Sequence, residues 1–133
     1  MSQKYILDSD ILIYFLKGEK TVINKIISLP EDSLFITIIN YTELLYGIYN
    51  STKVTQNREK ILPFLDNFEV LKFDKKSSEI FAKLKAKLKK QGNIIADMDL
   101  MIASIAISNK AILFTNNLKH FRRINGLEIL GVK

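Results

Sequence analysis

Short apolar runs alternate along this chain with stretches whose apolar residues recur every three to four positions, and the two periods predict strands and helices in turn. Residues 4–7 read as a short buried strand, and 9–16 as a helix closed near Lys17 and Gly18, where glycine supplies a left-handed cap. A second helix is predicted over 21–28, ended by Leu29, Pro30, Glu31 and Asp32 as a turn, with a strand over 34–38 after it. The next helix, 41–49, carries Leu44, Leu45 and Ile48 on one stripe, and 57–66 is a further amphipathic segment that Pro63 should kink or end. A strand over 68–73 precedes a helix over 77–90, where Ile80, Phe81, Leu84 and Leu88 face away from a run of lysines, and Gln91, Gly92 and Asn93 stop it. Residues 100–108 are nearly all apolar or small, so they predict a central buried helix, with strands over 111–115 and 127–130 beyond it. Strands and helices alternating from end to end predict one α/β domain over 1–133, with a mostly parallel central sheet flanked by helices on both faces.

The length of 133 residues suits a single core without staples. The longest unbroken apolar stretches fall far short of the roughly 20 residues a membrane helix needs, and nothing near the N-terminus has the shape of a secretion signal. A cytoplasmic protein with no membrane association is therefore expected. The absence of cysteine excludes disulfides, zinc ribbons, thiol nucleophiles and iron–sulfur clusters. A single histidine, His120, leaves no second imidazole for paired acid–base ribonuclease chemistry, so any hydrolysis must rest on carboxylates. The net charge of +6 favours a polyanionic partner.

Candidate chemistry gathers at the predicted carboxyl ends of strands. Asp8 follows Tyr5-Ile6-Leu7, Glu43 follows Phe35-Ile36-Thr37-Ile38-Ile39, and Asp97 with Asp99 precede Leu100-Met101-Ile102-Ala103. Each has a structural alternative: Asp8 or Ser9 can cap the first helix, Asp97 can cap the sixth with Asp99 on its dipole, and Asn40 with Glu43 has capping-box spacing. Parallel α/β sheets, however, place ligands where the carboxyl ends of their strands meet, so acids brought there from three regions would converge. Convergent carboxylates call for a hard cation, Mg2+ or Mn2+, which leaves open positions for substrate. A cation so held, beneath a basic body, suits hydrolysis of a phosphodiester.

Four segments taken in order carry a resemblance: Leu7-Asp8-Ser9-Asp10-Ile11-Leu12-Ile13, Thr42-Glu43-Leu44-Leu45-Tyr46-Gly47, Asp97-Met98-Asp99-Leu100-Met101-Ile102-Ala103 and Phe114-Thr115-Asn116-Asn117-Leu118-Lys119-His120-Phe121. Together they resemble the successive motifs of PIN-domain ribonucleases, specifically VapC-like toxins, across almost the whole chain. The resemblance implies a Mg2+- or Mn2+-dependent endoribonuclease, the toxin of a type II toxin–antitoxin pair, with Asp8, Glu43 and Asp99 as the catalytic, metal-binding carboxylates. Asp97, two residues before the family's third acid, is either a further ligand or a helix cap. The family's fourth acid is replaced here by Asn117, which points to one well-bound ion. The implied partners are RNA, a VapB-like antitoxin whose C-terminal segment lies across the toxin groove, and a second copy of the toxin in a homodimer and hetero-oligomer.

Around that set, Ser9 and Thr115 can place hydroxyls near the metal, with capping as the alternative, and Asp10 can orient its neighbours. Lys119, Arg122 and Arg123 are the candidate RNA-phosphate contacts; the lysines of 83–90 read as a solvated face, and His120 as a solvated surface imidazole. Tyr41, Tyr46 and Tyr49 suit either base stacking or packing. Two other readings compete: a catalytically silent PIN-like module that engages a protein partner, and a phosphorylated receiver domain, which would need a phospho-accepting Asp where Glu43 stands.

Overall fold

The computed structural model describes residues 3–132. Its centre is a five-stranded, fully parallel sheet in the order β3-β2-β1-β4-β5, built from β1 (Tyr5–Leu7), β2 (Leu34–Thr37), β3 (Glu69–Leu71), β4 (Ile112–Phe114) and β5 (Glu128–Leu130). Helices α1 (Ser9–Leu16), α2 (Lys20–Ile27), α3 (Ile38–Tyr49), α4 (Val54–Leu65), α5 (Lys75–Lys90), α6 (Asp97–Ser108) and α7 (Leu118–Phe121) join them, with a 3-10 turn at Glu31–Ser33. The predicted α/β class holds, and so does the element order apart from α7.

Successive strand residues feed opposite cores, as the two-residue period of a strand demands when both faces are covered. Ile6 and Leu113 point into a layer with Leu88, Leu100, Ile102 and Phe121. Their neighbours Leu7 and Phe114 enter the other layer, with Ile11, Leu12, Val22, Ile26 and Leu65. β1, fully covered on both sides, pairs with β2 on one flank and β4 on the other. The chain thus runs outward through β2 and β3, then crosses back to add β4 beside β1, and that reversal opens a crevice at the carboxyl ends of β1 and β4.

Several boundaries move. α3 begins at Ile38, three residues earlier than the pattern predicts, because Thr37 ends β2 and caps the helix in the same step. The capping box pairs Thr37 with Asn40, not Asn40 with Glu43: Asn40 N–H donates to Thr37 Oγ1 at 3.1 Å and Thr37 N–H donates to Asn40 Oδ1 at 3.1 Å. Pro63 does not end α4; it sits in the last turn, and the helix continues to Leu65. α6 starts at Asp97 with Ala96 as its cap residue, so Asp97 lies within the first turn and caps nothing. α7 is an element the pattern did not show.

Candidate active site

Asp8 is the residue at which β1 becomes α1. Its N–H still pairs with the Phe114 carbonyl of β4 at 2.9 Å, while its side chain accepts from Ser9 N–H at 2.9 Å and caps the helix. Only 7% of it is exposed, and both oxygens are held: Oδ1 also accepts from Asn40 Nδ2 at 3.2 Å, and Oδ2 accepts from the buried Thr115 hydroxyl at 2.7 Å. Capping and site placement, alternatives in the sequence, are combined in this one carboxylate.

Asn40 and Ser9 extend the network. Asn40 is wholly buried; its Oδ1 is occupied by Thr37, which turns Nδ2 toward Asp8 and toward Ser9 Oγ at 2.9 Å. Ser9 Oγ donates in turn to Glu43 Oε1 at 2.7 Å. Glu43 stands in the second turn of α3, not at a helix start, and reaches the crevice because the helix begins so close to β2. Asp99 arrives from the first turn of α6 with its side chain 28% exposed, and His120 of α7 places Nε2 3.3 Å from Asp99 Oδ2.

Electrostatics ties the acids together. Burial pushes the Asp8 carboxyl above its ordinary range, with the Asp99 charge adding to it while the bonds from Thr115, Ser9 and Asn40 oppose it. Burial also raises Glu43, helped by Asp8 and Asp99, and raises Asp99, where His120 opposes it. Asp10 is pushed up to about 6 by burial and by Asp8, although Asn116 N–H and Ile11 N–H donate to its two oxygens at 3.1 and 2.7 Å. Buried and half-buried like charges at one crevice favour a cation among them.

Among the described residues, no three Asp, Glu, His or Cys side chains converge into a ready-made cation cage. The donor set nevertheless fits a hard, partly hydrated cation: Mg2+ is commonly held by one or two carboxylates and keeps several waters. The observation that supports such an ion is that three carboxylates are held at one crevice, with Asp99 bearing on Asp8 and both of them on Glu43.

Asp97 stands apart from the other acids. It forms an ion pair with Lys85 of α5 at 2.9 Å, both side chains about half exposed, and contributes to none of the shifts at Asp8, Glu43 or Asp99. Asn117 is exposed; its N–H donates to Thr115 Oγ1 at 3.0 Å, and it lines a concavity with Lys119, His120 and Arg123. Arg122 is exposed as well. Of the tyrosines, Tyr41 packs into the core, while Tyr46 and Tyr49 are exposed and Tyr49 accepts from Arg58 at 2.7 Å.

Two residues escaped the sequence reading. Asn40 looked like an ordinary capping residue, and His120, expected in solvent, is instead partly buried against Asp99. The offset of three between Thr37 and Asn40 was a local signal for the first; nothing local marks the second.

The family model for the PIN domain matches residues 5–127. Ribonuclease VapC2 of Rickettsia felis is 37% identical over 125 residues, which cover 92% of this chain and 93% of that protein. The tRNA(fMet)-specific endonuclease VapC of Shigella flexneri is 30% identical over 124 residues, covering 93% of this chain and 94% of the relative. The crystal structure of VapBC2 from Rickettsia felis, bound to a DNA fragment from their promoter, contains a chain that superposes with a TM-score of 0.89 at 33% identity, over 97% of this chain and 98% of that one.

Proposed function

Since the chain belongs to the PIN-domain family, we propose that it is a divalent-metal-dependent endoribonuclease, the toxin half of a toxin–antitoxin pair. The single observation that carries the chemistry is the group of carboxylates, Asp8, Glu43 and Asp99, gathered at the crevice end of the sheet, where Asp99 bears on Asp8 and both bear on Glu43. Relatives named as ribonucleases over more than nine-tenths of their length support the reaction class.

In this reading Asp8, Glu43 and Asp99 hold Mg2+ or Mn2+, and Asp97, paired with Lys85, serves α5–α6 packing instead. Thr115, Ser9 and Asn40 orient the Asp8 and Glu43 carboxylates through the bonds described above, and Asn117 keeps Thr115 turned toward Asp8. When bound, the ion supplies positive charge to the scissile phosphate and acidifies water for in-line attack. Lys119, Arg122 and Arg123 contact neighbouring phosphates, which positions RNA without reading its bases. The substrate class we favour is transfer RNA, as in the Shigella relative's name.

A structural neighbour, the Rickettsia felis VapBC2 complex, supports a VapB-like antitoxin as partner. The helices that carry Ser9 and Glu43 also expose Ile13, Ile38, Tyr46 and Tyr49, so an apolar segment laid across α1 and α3 would cover the acids as it docked. Leu44 and Ile48 are core residues and offer nothing to a partner. We place the protein in the cytoplasm, in hetero-oligomers built on a toxin homodimer; among the described residues no helix is long and apolar enough to cross a membrane.

Antitoxin-free protein, stripped of metal and resupplied with Mg2+ or Mn2+, is expected to cut transfer RNA within a mixed RNA pool, with no fragments from Asp8→Ala. A folded protein that binds metal but leaves both the pool and purified transfer RNAs intact would favour the silent binding module.

A further inference from the structure

The acids of the crevice are held unequally. Asp8 receives three donors among Ser9, Asn40 and Thr115, Glu43 receives the Ser9 hydroxyl, and Asp10 receives two backbone amides. Asp99 receives no hydrogen bond from any described residue; what faces it is His120 Nε2, 3.3 Å from Oδ2. That nitrogen is buried and has no hydrogen-bond partner in the present alignment. On the far side of the ring, Arg123 Nη2 lies 3.3 Å from His120 Nδ1. A guanidinium has donors and no acceptor, so Nδ1 must present its lone pair, and the proton of the neutral ring then sits on Nε2, toward Asp99.

We infer that His120 is a positioning residue for Asp99: Arg123 sets its tautomer, and Nε2–H holds Oδ2 so that Oδ1 is left for the cation. This inference rests on the metal-dependent reading proposed above. With Nε2 already 3.3 Å from Oδ2 of an otherwise unrestrained carboxylate, a small turn of the ring does for Asp99 what Thr115 and Asn40 do for Asp8. Partners that orient a ligating group in this way control how tightly the group binds its metal. The ring itself is anchored by the chain, because the adjacent Phe121 is wholly buried and meets it edge-on at 6.2 Å.

The test is Mn2+ binding to the full chain, followed by electron paramagnetic resonance without RNA, beside thermal melting in chelator. His120→Ala is expected to weaken Mn2+ binding about 10–100-fold, the usual cost of losing such a partner. His120→Gln, which retains a side-chain N–H donor, is expected to recover most of it, and Arg123→Ala to fall between, with all three melting near the parent. Unchanged Mn2+ affinity in His120→Ala overturns the inference and leaves the metal site standing. A loss that Gln does not restore, together with a lowered melting temperature, assigns the ring a merely structural role and overturns it too. A parent protein that binds no Mn2+, with Asp8→Asn behaving identically, removes the underlying reading and this inference with it.

Discussion

At the scale of single residues, the acids divide by what surrounds them. Asp8→Asn and Glu43→Gln keep the volume of each side chain and one acceptor oxygen, so the fold is expected to persist while cleavage falls at least about 100-fold, the upper range for losing even an indirect metal partner. Steady-state cleavage beside circular dichroism checks both halves. Asp97→Ala is expected to leave cleavage within about 3-fold and stability within about 1 kcal/mol, because its half-exposed pair with Lys85 is the kind that contributes little. A large loss of activity in Asp97→Ala would return it to the site. Asp8 and Glu43 were visible from their place soon after strands, since the carboxyl end of a parallel strand is where the backbone delivers side chains to a crevice, and Asp99 from its place ahead of the buried run of α6. Asp97 shared that signal yet turned toward Lys85: one residue along a helix rotates a side chain by roughly 100°, so neighbours two apart face different surroundings.

At the scale of elements, the β2–α3 junction bears the most on function. Thr37 ends a strand and caps a helix with no intervening loop, and Asn40 uses one end of its amide for that cap and the other for Asp8 and Ser9. Asn40→Ala removes the side-chain half of the capping box and leaves Asp8 and Ser9 short of a buried donor, so a loss of about 1–3 kcal/mol is expected in urea unfolding, together with reduced cleavage. In α6, Ile105 is wholly buried between sheet and α5, and Ile105→Ala is expected to cost about 2–5 kcal/mol. The apolar run of α6 announced a buried helix correctly. The start of α3 was hidden because Ile38 and Ile39 are β-branched and extend the strand pattern of β2; the cap, a tertiary contact as much as a local one, decided the boundary. α7, four residues long, is too short to display a period.

At the scale of the whole molecule, charge is divided between an acidic crevice and a basic body. Asp8, Asp10, Glu43 and Asp99 all have folded pKa values above their ordinary ones, so the folded chain holds protons more tightly than the unfolded chain. Without metal, the contribution of these four acids to stability should therefore be full below the ordinary carboxylate range and be lost as pH rises through it toward about 6, where Asp10 titrates. Melting in chelator is expected at a higher temperature at pH 5 than at pH 7.5, with Mg2+ stabilising more at the higher pH. Asp74 is shifted the other way, so its contribution is lost only on acidification below that window. The net charge of +6 predicts RNA binding that weakens steeply with salt, and Lys119→Ala, Arg122→Ala and Arg123→Ala should each reduce the slope of log affinity against log salt by about 0.7. The class, the alternation of elements and the candidacy of three acids can be read from the chain because periodicity, and placement beside a strand or a buried helix, are local and repeat within a few residues. Strand order, the pairing of Asp97 with Lys85, the hold of Asn40 on Asp8 and the approach of His120 to Asp99 were settled only by packing. Those contacts join residues 12 to 32 positions apart, and sequence spacing does not encode the distance between elements that meet across a folded sheet.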